Sequence, residues 1–140
     1  MKLTPKAIIC DLDGTLSLLN GRNPYDASKC DLDLPNWPVI ECVGAMYSQD
    51  YKIIFMSGRE DKYREPTERF IGMYLPYLKY KLFMRKTGDF RKDSIIKGEL
   101  YDANVKDKYK VLFVLDDRGQ VVQYWRSIGL TVFQVAEGNF

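Results

Sequence analysis

Two aspartates stand two residues apart in Asp11-Leu12-Asp13-Gly14-Thr15, directly after the apolar run Ala7-Ile8-Ile9-Cys10. A carboxylate fixed at the end of a buried strand can attack phosphorus as a nucleophile. A second carboxylate beside it can protonate the leaving oxygen and then activate the water that hydrolyses the aspartyl-phosphate. Asp11 and Asp13 are the candidates for these two roles. Gly14 permits a tight turn, and Thr15 offers a hydroxyl to a phosphate oxygen or a cap to the next segment. Taken alone, the pattern fits a turn or a helix cap equally well.

Two further polar clusters follow apolar runs in the same way. Ser57-Gly58-Arg59 comes after Lys52-Ile53-Ile54-Phe55-Met56, and Asp116-Asp117 after Val111-Leu112-Phe113-Val114-Leu115. Several carboxylates beside a dianionic substrate repel it, so the site requires a cation. Mg²⁺ held by Asp11, Asp116 and Asp117 would neutralise them and clamp a phosphoryl oxygen. Lys97 is a candidate for a second positive charge. Ser57 can donate a hydrogen bond to the transferred group, and Arg22 and Arg59 can grip phosphate with two bonds each. Every one of these has a plainer role as well. Asp93 and Lys97, at i and i+4, read as an exposed helix pair, Asp116-Asp117 as a cap on the next helix, and Arg22 as a solvated loop arginine.

What the chain lacks narrows the chemistry further. Among its 140 residues there is no histidine, which excludes a histidine base, nucleophile or metal ligand. A hard, oxygen-preferring ion such as Mg²⁺ suits the donors that remain. Three cysteines, Cys10, Cys30 and Cys42, show no CxxC spacing, and their odd number argues against a disulfide framework. Together with the absence of a signal peptide or membrane-length apolar run, this points to a cytoplasmic protein that makes no membrane contact.

The elements that must position these residues alternate. Strands are expected at Ala7–Cys10, Lys52–Met56, Leu82–Met84, Val111–Leu115 and Thr131–Val135, nearly continuous in apolar residues as in a parallel sheet buried on both faces. Helices are expected from Pro38, from Pro66, over Lys92 to Asn104, and through Val121, Val122, Tyr124 and Trp125 to a glycine cap at Gly129. The βα alternation predicts an α/β fold in one domain, residues 1–140. Its sheet is doubly wound, mostly parallel and five-stranded, with helices on both faces. Asp11/Asp13, Ser57/Arg59 and Asp116/Asp117 then meet at the carboxyl edge of the sheet, where such folds bind ligands.

In this order the motifs resemble the haloacid dehalogenase (HAD) phosphohydrolase superfamily: the DxDGT stretch at Asp11–Thr15, then Ser57, Lys97 and Asp116-Asp117. The resemblance implies Asp11 as nucleophile and Asp13 as general acid/base. It implies Ser57 and Lys97 on the phosphoryl group, and Mg²⁺ on Asp11, the Asp13 carbonyl, Asp116 and Asp117. A closer resemblance is to the 3′-phosphatase domain of phage-type polynucleotide kinase/phosphatase. It is carried by Asn20–Asp26, Ser57-Gly58-Arg59-Glu60, Gly88–Asp93 and Asp116–Val122, with Trp125-Arg126 and Gly129, from about Lys6 onward. It implies functional roles for Arg22, Arg59, Asp93 and Lys97, the acid orienting the lysine beside the phosphate. It also implies removal of 3′-phosphates from DNA or RNA ends, and opening of 2′,3′-cyclic phosphates, in a bacterial cell or phage-infected host.

The GxxxxGK[ST] loop of the kinase half of those enzymes is missing, so the expectation is a free-standing or excised phosphatase, with a kinase or ligase as a separate partner. The polar segment from about Leu16 to Trp37 is too short for a large cap, and an open site suits a polymer end. Lys79, Lys81, Arg85, Lys86, Arg91 and Lys92, interleaved with Tyr77, Tyr80, Phe83 and Phe90, could track a phosphate backbone and stack a base. The plainer reading makes the aromatics core and the charges a solvated face. Two other functions remain open on the sequence: a phosphatase for nucleotides or sugar phosphates, and a non-catalytic module that binds nucleic acid ends.

Overall fold

A computed structural model describes residues 3–140. Five parallel strands form the central sheet: β1 (Lys6–Cys10), β4 (Lys52–Glu60), β5 (Tyr80–Arg85), β6 (Lys110–Arg118) and β7 (Val132–Gly138), in the order β5-β4-β1-β6-β7. Four helices connect them: α1 (Trp37–Ser48), α2 (Arg64–Tyr74), α3 (Asp93–Asn104) and α4 (Gly119–Ser127). The chain has the doubly wound, parallel α/β fold that its alternation predicts.

The apolar runs are continuous because both faces are covered. In β1, Ile8 and Cys10 pack on one side with Val39, Ile40 and Val43 of α1 and Phe70 and Ile71 of α2. Ala7 and Ile9 pack on the other side with Val121, Val122 and Trp125 of α4. The same alternation divides Ile53 and Phe55 from Ile54 and Met56. Each fully buried Ile or Phe side chain contributes about 1.5–3 kcal/mol relative to exposure.

Two strands run further than their apolar residues. β4 continues through Ser57-Gly58-Arg59 to Glu60, and β6 through Asp116-Asp117 to Arg118, each with a register shift against its neighbour over that stretch. The polar motifs are thus not loops after the strands but distorted extensions of them, held by backbone pairing. β1 begins one residue before the expected Ala7, whereas the third expected strand, Leu82–Met84, extends to both sides as β5. Pro38 is the second residue of α1, and Pro66 the third of α2, which grows out of a 3-10 turn at Asp61–Tyr63. Proline is tolerated in the first turn because its missing N–H has no intrahelical partner there.

The segment between β1 and α1 is not wholly irregular. β2 (Ser17–Leu18) pairs antiparallel with β3 (Leu34–Pro35), and a 3-10 turn at Cys30–Leu32 precedes the return strand. Buried Leu16, Ala27 and Cys30 fasten this small cap to the body, where Cys30 Sγ meets Thr67 Oγ1 of α2. All three cysteines are free thiols. Among the described residues, no helix is long and apolar enough to cross a membrane.

Candidate active site

Strand order puts β1 between β4 and β6, so Asp11, Ser57 and Asp116 lie side by side toward the carboxyl ends of three adjacent strands. Asp11 N–H bonds Leu115 O at 2.9 Å, which extends the β1–β6 pairing by one residue and sets Asp11 beside Asp116. The chain then turns at Gly14, with φ +79°; a β-carbon there would fall on the Asp117 carboxylate, so both the angle and the space require glycine. Thr15 Oγ1 lies 3.1 Å from both Asp11 Oδ2 and Asp117 Oδ1 and, with one proton, donates to one of them at a time. Asn36 fixes the turn by donating to Thr15 O at 2.7 Å.

Oxygens of Asp11, Asp116 and Asp117 all lie within 4.8 Å of one another. Lys97, on α3 and only 1% exposed, reaches into this cluster, with Nζ 2.8 Å from Asp11 Oδ1 and 3.1 Å from Asp116 Oδ2. Burial, then Asp116, push the Asp11 carboxyl well above its usual range, and Lys97 only partly opposes them. Burial raises Asp117 as well. Burial pulls Lys97 down, but Asp11, Asp116 and Asp93 outweigh it, so the ammonium stays charged. Three buried carboxylates against one lysine leave negative charge in excess. Their hard, convergent oxygen donors fit Mg²⁺.

Asp116 is positioned by its backbone surroundings. Its Oδ1 accepts the N–H groups of Asp117 and Arg118 at 2.9 and 3.2 Å, and the Trp125 indole lies 3.4 Å from Oδ2. The helix-cap alternative fails, because α4 begins at Gly119 without a side-chain cap. Asp93 and Lys97 are both buried, so they are not an exposed pair. Their separation is 3.8 Å, outside hydrogen-bond reach. Asp93 is instead shared between Arg85 at 3.2 Å, Arg118 at 3.5 Å and Lys97.

Asp13 lives in another environment. Arg59 holds it with Nε at 2.9 Å and Nη2 at 2.8 Å, and Arg22 Nη2 adds a bond at 2.8 Å. Burial pushes the Asp13 carboxyl up, but Arg59 and then Arg22 outweigh it and leave it below the usual range. The two arginines expected on phosphate are therefore paired within the protein, and both also meet Asp33. Arg22 makes a two-point fork to it at 2.8 Å on each oxygen, and Arg59 lies 3.4 Å away. Ser17 and Thr67 take the remaining guanidinium contacts of Arg59. Ser57 Oγ accepts the Arg59 N–H at 3.0 Å, and its own proton makes no hydrogen bond among the described residues. At Gly58 a β-carbon would fall on the Asp93 carboxylate, and the Gly58 carbonyl accepts Arg85 Nε at 2.7 Å.

Every candidate thus lies at one edge: Asp11, Thr15, Lys97, Asp116 and Asp117 in one half, Asp13, Arg22 and Arg59 in the other, with Ser57, Gly58 and Asp93 alongside. Sequence reasoning missed Asp33 and misplaced Arg85, which is a partly buried tie to Gly58 O and Asp93 and not part of a basic surface. Asp33 carries no signal that separates it from Asp31 two residues earlier. Arg85 stands out only in that it ends a strand beside the Gly88–Asp93 stretch. The basic and aromatic segment divides: Tyr80 and Phe83 join the cores, Arg91 pairs with Asp89 and Glu99, and Phe90 stays exposed.

Comparison with known proteins agrees with this geometry. A putative bifunctional polynucleotide kinase/RNA ligase of Autographa californica nuclear polyhedrosis virus is 40% identical over 134 residues, which is 94% of this chain and 19% of that protein. Solved structures of a Pnkp1/Rnl/Hen1 RNA repair complex contain chains 55% and 56% identical, with TM-scores of 0.94 and 0.92, over 98% and 97% of this chain and 44% and 47% of theirs. The chain therefore spans less than half the length of these relatives. A class C acid phosphatase from Bacillus anthracis, solved with tungstate, shares the fold at 16% identity and a TM-score of 0.63, over 99% of this chain and 68% of its own. Residues 5–140 match the family described as the polynucleotide kinase PNKP phosphatase domain, and the chain belongs to that family of HAD-type phosphatases.

Proposed function

We propose that this domain removes phosphate from the 3′ ends of nucleic acid strands, with Mg²⁺, through a phosphorylated Asp11. The observation that carries the reading is the separation of two carboxylates two residues apart into different environments: Asp11 beside Lys97 in the acidic cluster, and Asp13 in the fork of Arg59. Asp11, Asp116 and Asp117, with the Asp13 carbonyl, would hold the ion, which supplies charge neutralisation and polarises the phosphoryl group.

In the first step an Asp11 oxygen forms a bond to phosphorus while the bond from phosphorus to the strand's 3′ oxygen breaks, and Asp13 delivers a proton to that oxygen. In the second, water attacks phosphorus, its proton passes to Asp13, the Asp11–phosphorus bond breaks and inorganic phosphate leaves. Asp13 must therefore carry a proton that its arginines oppose. An incoming phosphate competes for the N–H groups of Arg22 and Arg59, and so relaxes what holds the Asp13 pKa down. Ser57, with an uncommitted proton, and Lys97 face the phosphoryl oxygens, and Asp93 helps place Lys97.

The family match and the viral relative's name support an end of a polynucleotide as the substrate, and the RNA repair complex supports RNA among the ends accepted. The product is a 3′-hydroxyl, which is what a strand-joining ligase consumes, so a kinase or ligase acting on the same break is the natural partner. The test is a panel: an oligonucleotide with a 3′-phosphate, one with a 2′,3′-cyclic phosphate, one with a 5′-phosphate, and 3′- and 5′-mononucleotides. Turnover of the 3′-phosphorylated oligonucleotide should exceed that of the mononucleotides and the 5′ end. Equal rates across the panel would favour a small-molecule phosphatase, and binding without phosphate release would favour a non-catalytic module.

A further inference from the structure

Beyond β5, residues Lys86–Arg91 carry one large apolar side chain with nothing to pack on: Phe90 is 83% exposed. Single exposed apolar residues are ordinary, and a mobile loop tip would explain one. This loop is built otherwise. The Arg85 guanidinium donates to Asp89 O at 2.9 Å and Arg91 O at 2.5 Å, the carbonyls on either side of Phe90. Asp61 takes both the N–H and the hydroxyl of Thr87, which in turn accepts the Lys62 N–H, and Gly88 N–H bonds Glu60 at 2.9 Å. Arg91 is held by Asp89 and Glu99. The backbone is pinned on both sides of a ring that adds almost nothing to the core.

The place of the ring is equally specific. The Arg85 that clamps it also bonds Gly58 O and Asp93, so the ring stands on the framework that aligns the candidate active site. α3 opens at Asp93, three residues after Phe90, and brings Lys97 into the acidic cluster one turn later. Exposed Lys86 and Lys92 flank the ring in the chain, and the loop lines a shallow concavity of ≈ 710 Å³. Cations beside an exposed aromatic on a rigid loop match the phosphate backbone and the π-face of a single strand.

We propose that Phe90 is a stacking platform for a nucleobase near the 3′ end of the substrate strand, set beside the phosphate site by the Arg85 clamp. The proposal rests on the function argued above and adds to it the subsite that distinguishes a polymer end from a small phosphate ester. Stacking needs only a π-face, so the subsite tolerates any base.

The test uses the full chain with Mg²⁺ and two single-stranded, 3′-phosphorylated oligonucleotides, one intact and one abasic at its last two nucleotides. Phe90→Ala should raise KM for the intact strand about 10- to 100-fold, with the loss in KM and not in kcat. On the abasic strand the wild-type chain should already show that higher KM, and Phe90→Ala should add nothing to it. Phe90→Trp should restore the wild-type KM on the intact strand. An unchanged KM for Phe90→Ala on the intact strand, or an equal loss on both strands, overturns the subsite while the 3′-phosphatase reading stands. A wild-type chain that leaves 3′-phosphorylated strands untouched sinks that reading, and the subsite with it.

Discussion

At the scale of single residues, Asp33 is the side chain that ties Arg22 and Arg59 together. Its side chain is 1% exposed and takes the two-point fork of Arg22 while Arg59 closes from the other side. Two guanidiniums against Asp13 and Asp33 make a balanced, partly buried group, and removing one charge leaves the others short. Asp33→Asn keeps the shape and removes the charge, so unfolding by urea should show a loss of about 2–4 kcal/mol, with Arg22 and Arg59 drawn more tightly onto Asp13. Asp13 gives a pH-dependent counterpart. Its folded pKa lies below the ordinary value, so its contribution is complete above the unfolded carboxylate pKa of about 3.9 and is lost as pH falls through the folded pKa. Because the Asp13 side chain is 40% exposed, solvent screening limits that contribution to about 1 kcal/mol. Urea midpoints measured between neutral and strongly acid pH should fall less steeply for Asp13→Asn than for the wild-type chain, the difference lying below about pH 4.

At the scale of elements, the decisive contact is between the extended end of β4 and the start of α3. No side chain fits at Gly58, because Asp93 occupies that space. Gly58→Ala should displace Asp93 from Arg85 and Lys97 and lower kcat about 10- to 100-fold, as an ångström of misplacement does in a preorganised site. Gly72 in α2 is the control: a β-carbon there meets nothing within 4 Å. Gly72→Ala should leave kcat alone and add about 0.5–1 kcal/mol in urea unfolding. The same contact marks the limit of what the sequence discloses. The sheet was legible because residues such as Ile8, Ile9, Ile53 and Ile54 are buried on both faces and so form unbroken apolar runs. The extensions over Ser57–Glu60 and Asp116–Arg118 were not, because those residues are polar and their pairing survives only through a register shift. The strands of the cap are two residues each, too short to carry a period. Asp31 and Asp33 look alike in sequence, yet Asp33 alone is buried, and only the fold brings Arg22 and Arg59 to it. Lys97 was legible from the order of the motifs and not from its own helix, where its i, i+4 spacing to Asp93 suggests a surface pair.

At the scale of the whole molecule, the net charge of +2 hides an uneven distribution. The carboxyl ends of two adjacent central strands, β1 and β6, bring together Asp11, Asp116 and Asp117, packed within 4.8 Å with one lysine bonded into the group. Burial raises the carboxyls of Asp11 and Asp117, which means that keeping them ionised without a cation costs folding free energy. If the cluster binds the cation proposed above, it is therefore a weak point of the metal-free fold. Two consequences with opposite signs follow. In a chelator, Asp11→Asn should be more stable than the wild-type chain, seen as a higher Tm, because burial disfavours the charged Asp11 carboxylate. With Mg²⁺ at about a hundred times its Kd, the wild-type chain should gain about 2.7 kcal/mol by mass action, whereas Asp11→Asn, with one ligand fewer, should gain much less. The two Tm curves against Mg²⁺ concentration should then cross, with the wild type below at zero Mg²⁺ and above at saturation. Parallel curves would mean that the cluster is not the cation's seat. A wild type that is already the more stable of the two in chelator would mean that Lys97 alone balances the three carboxylates.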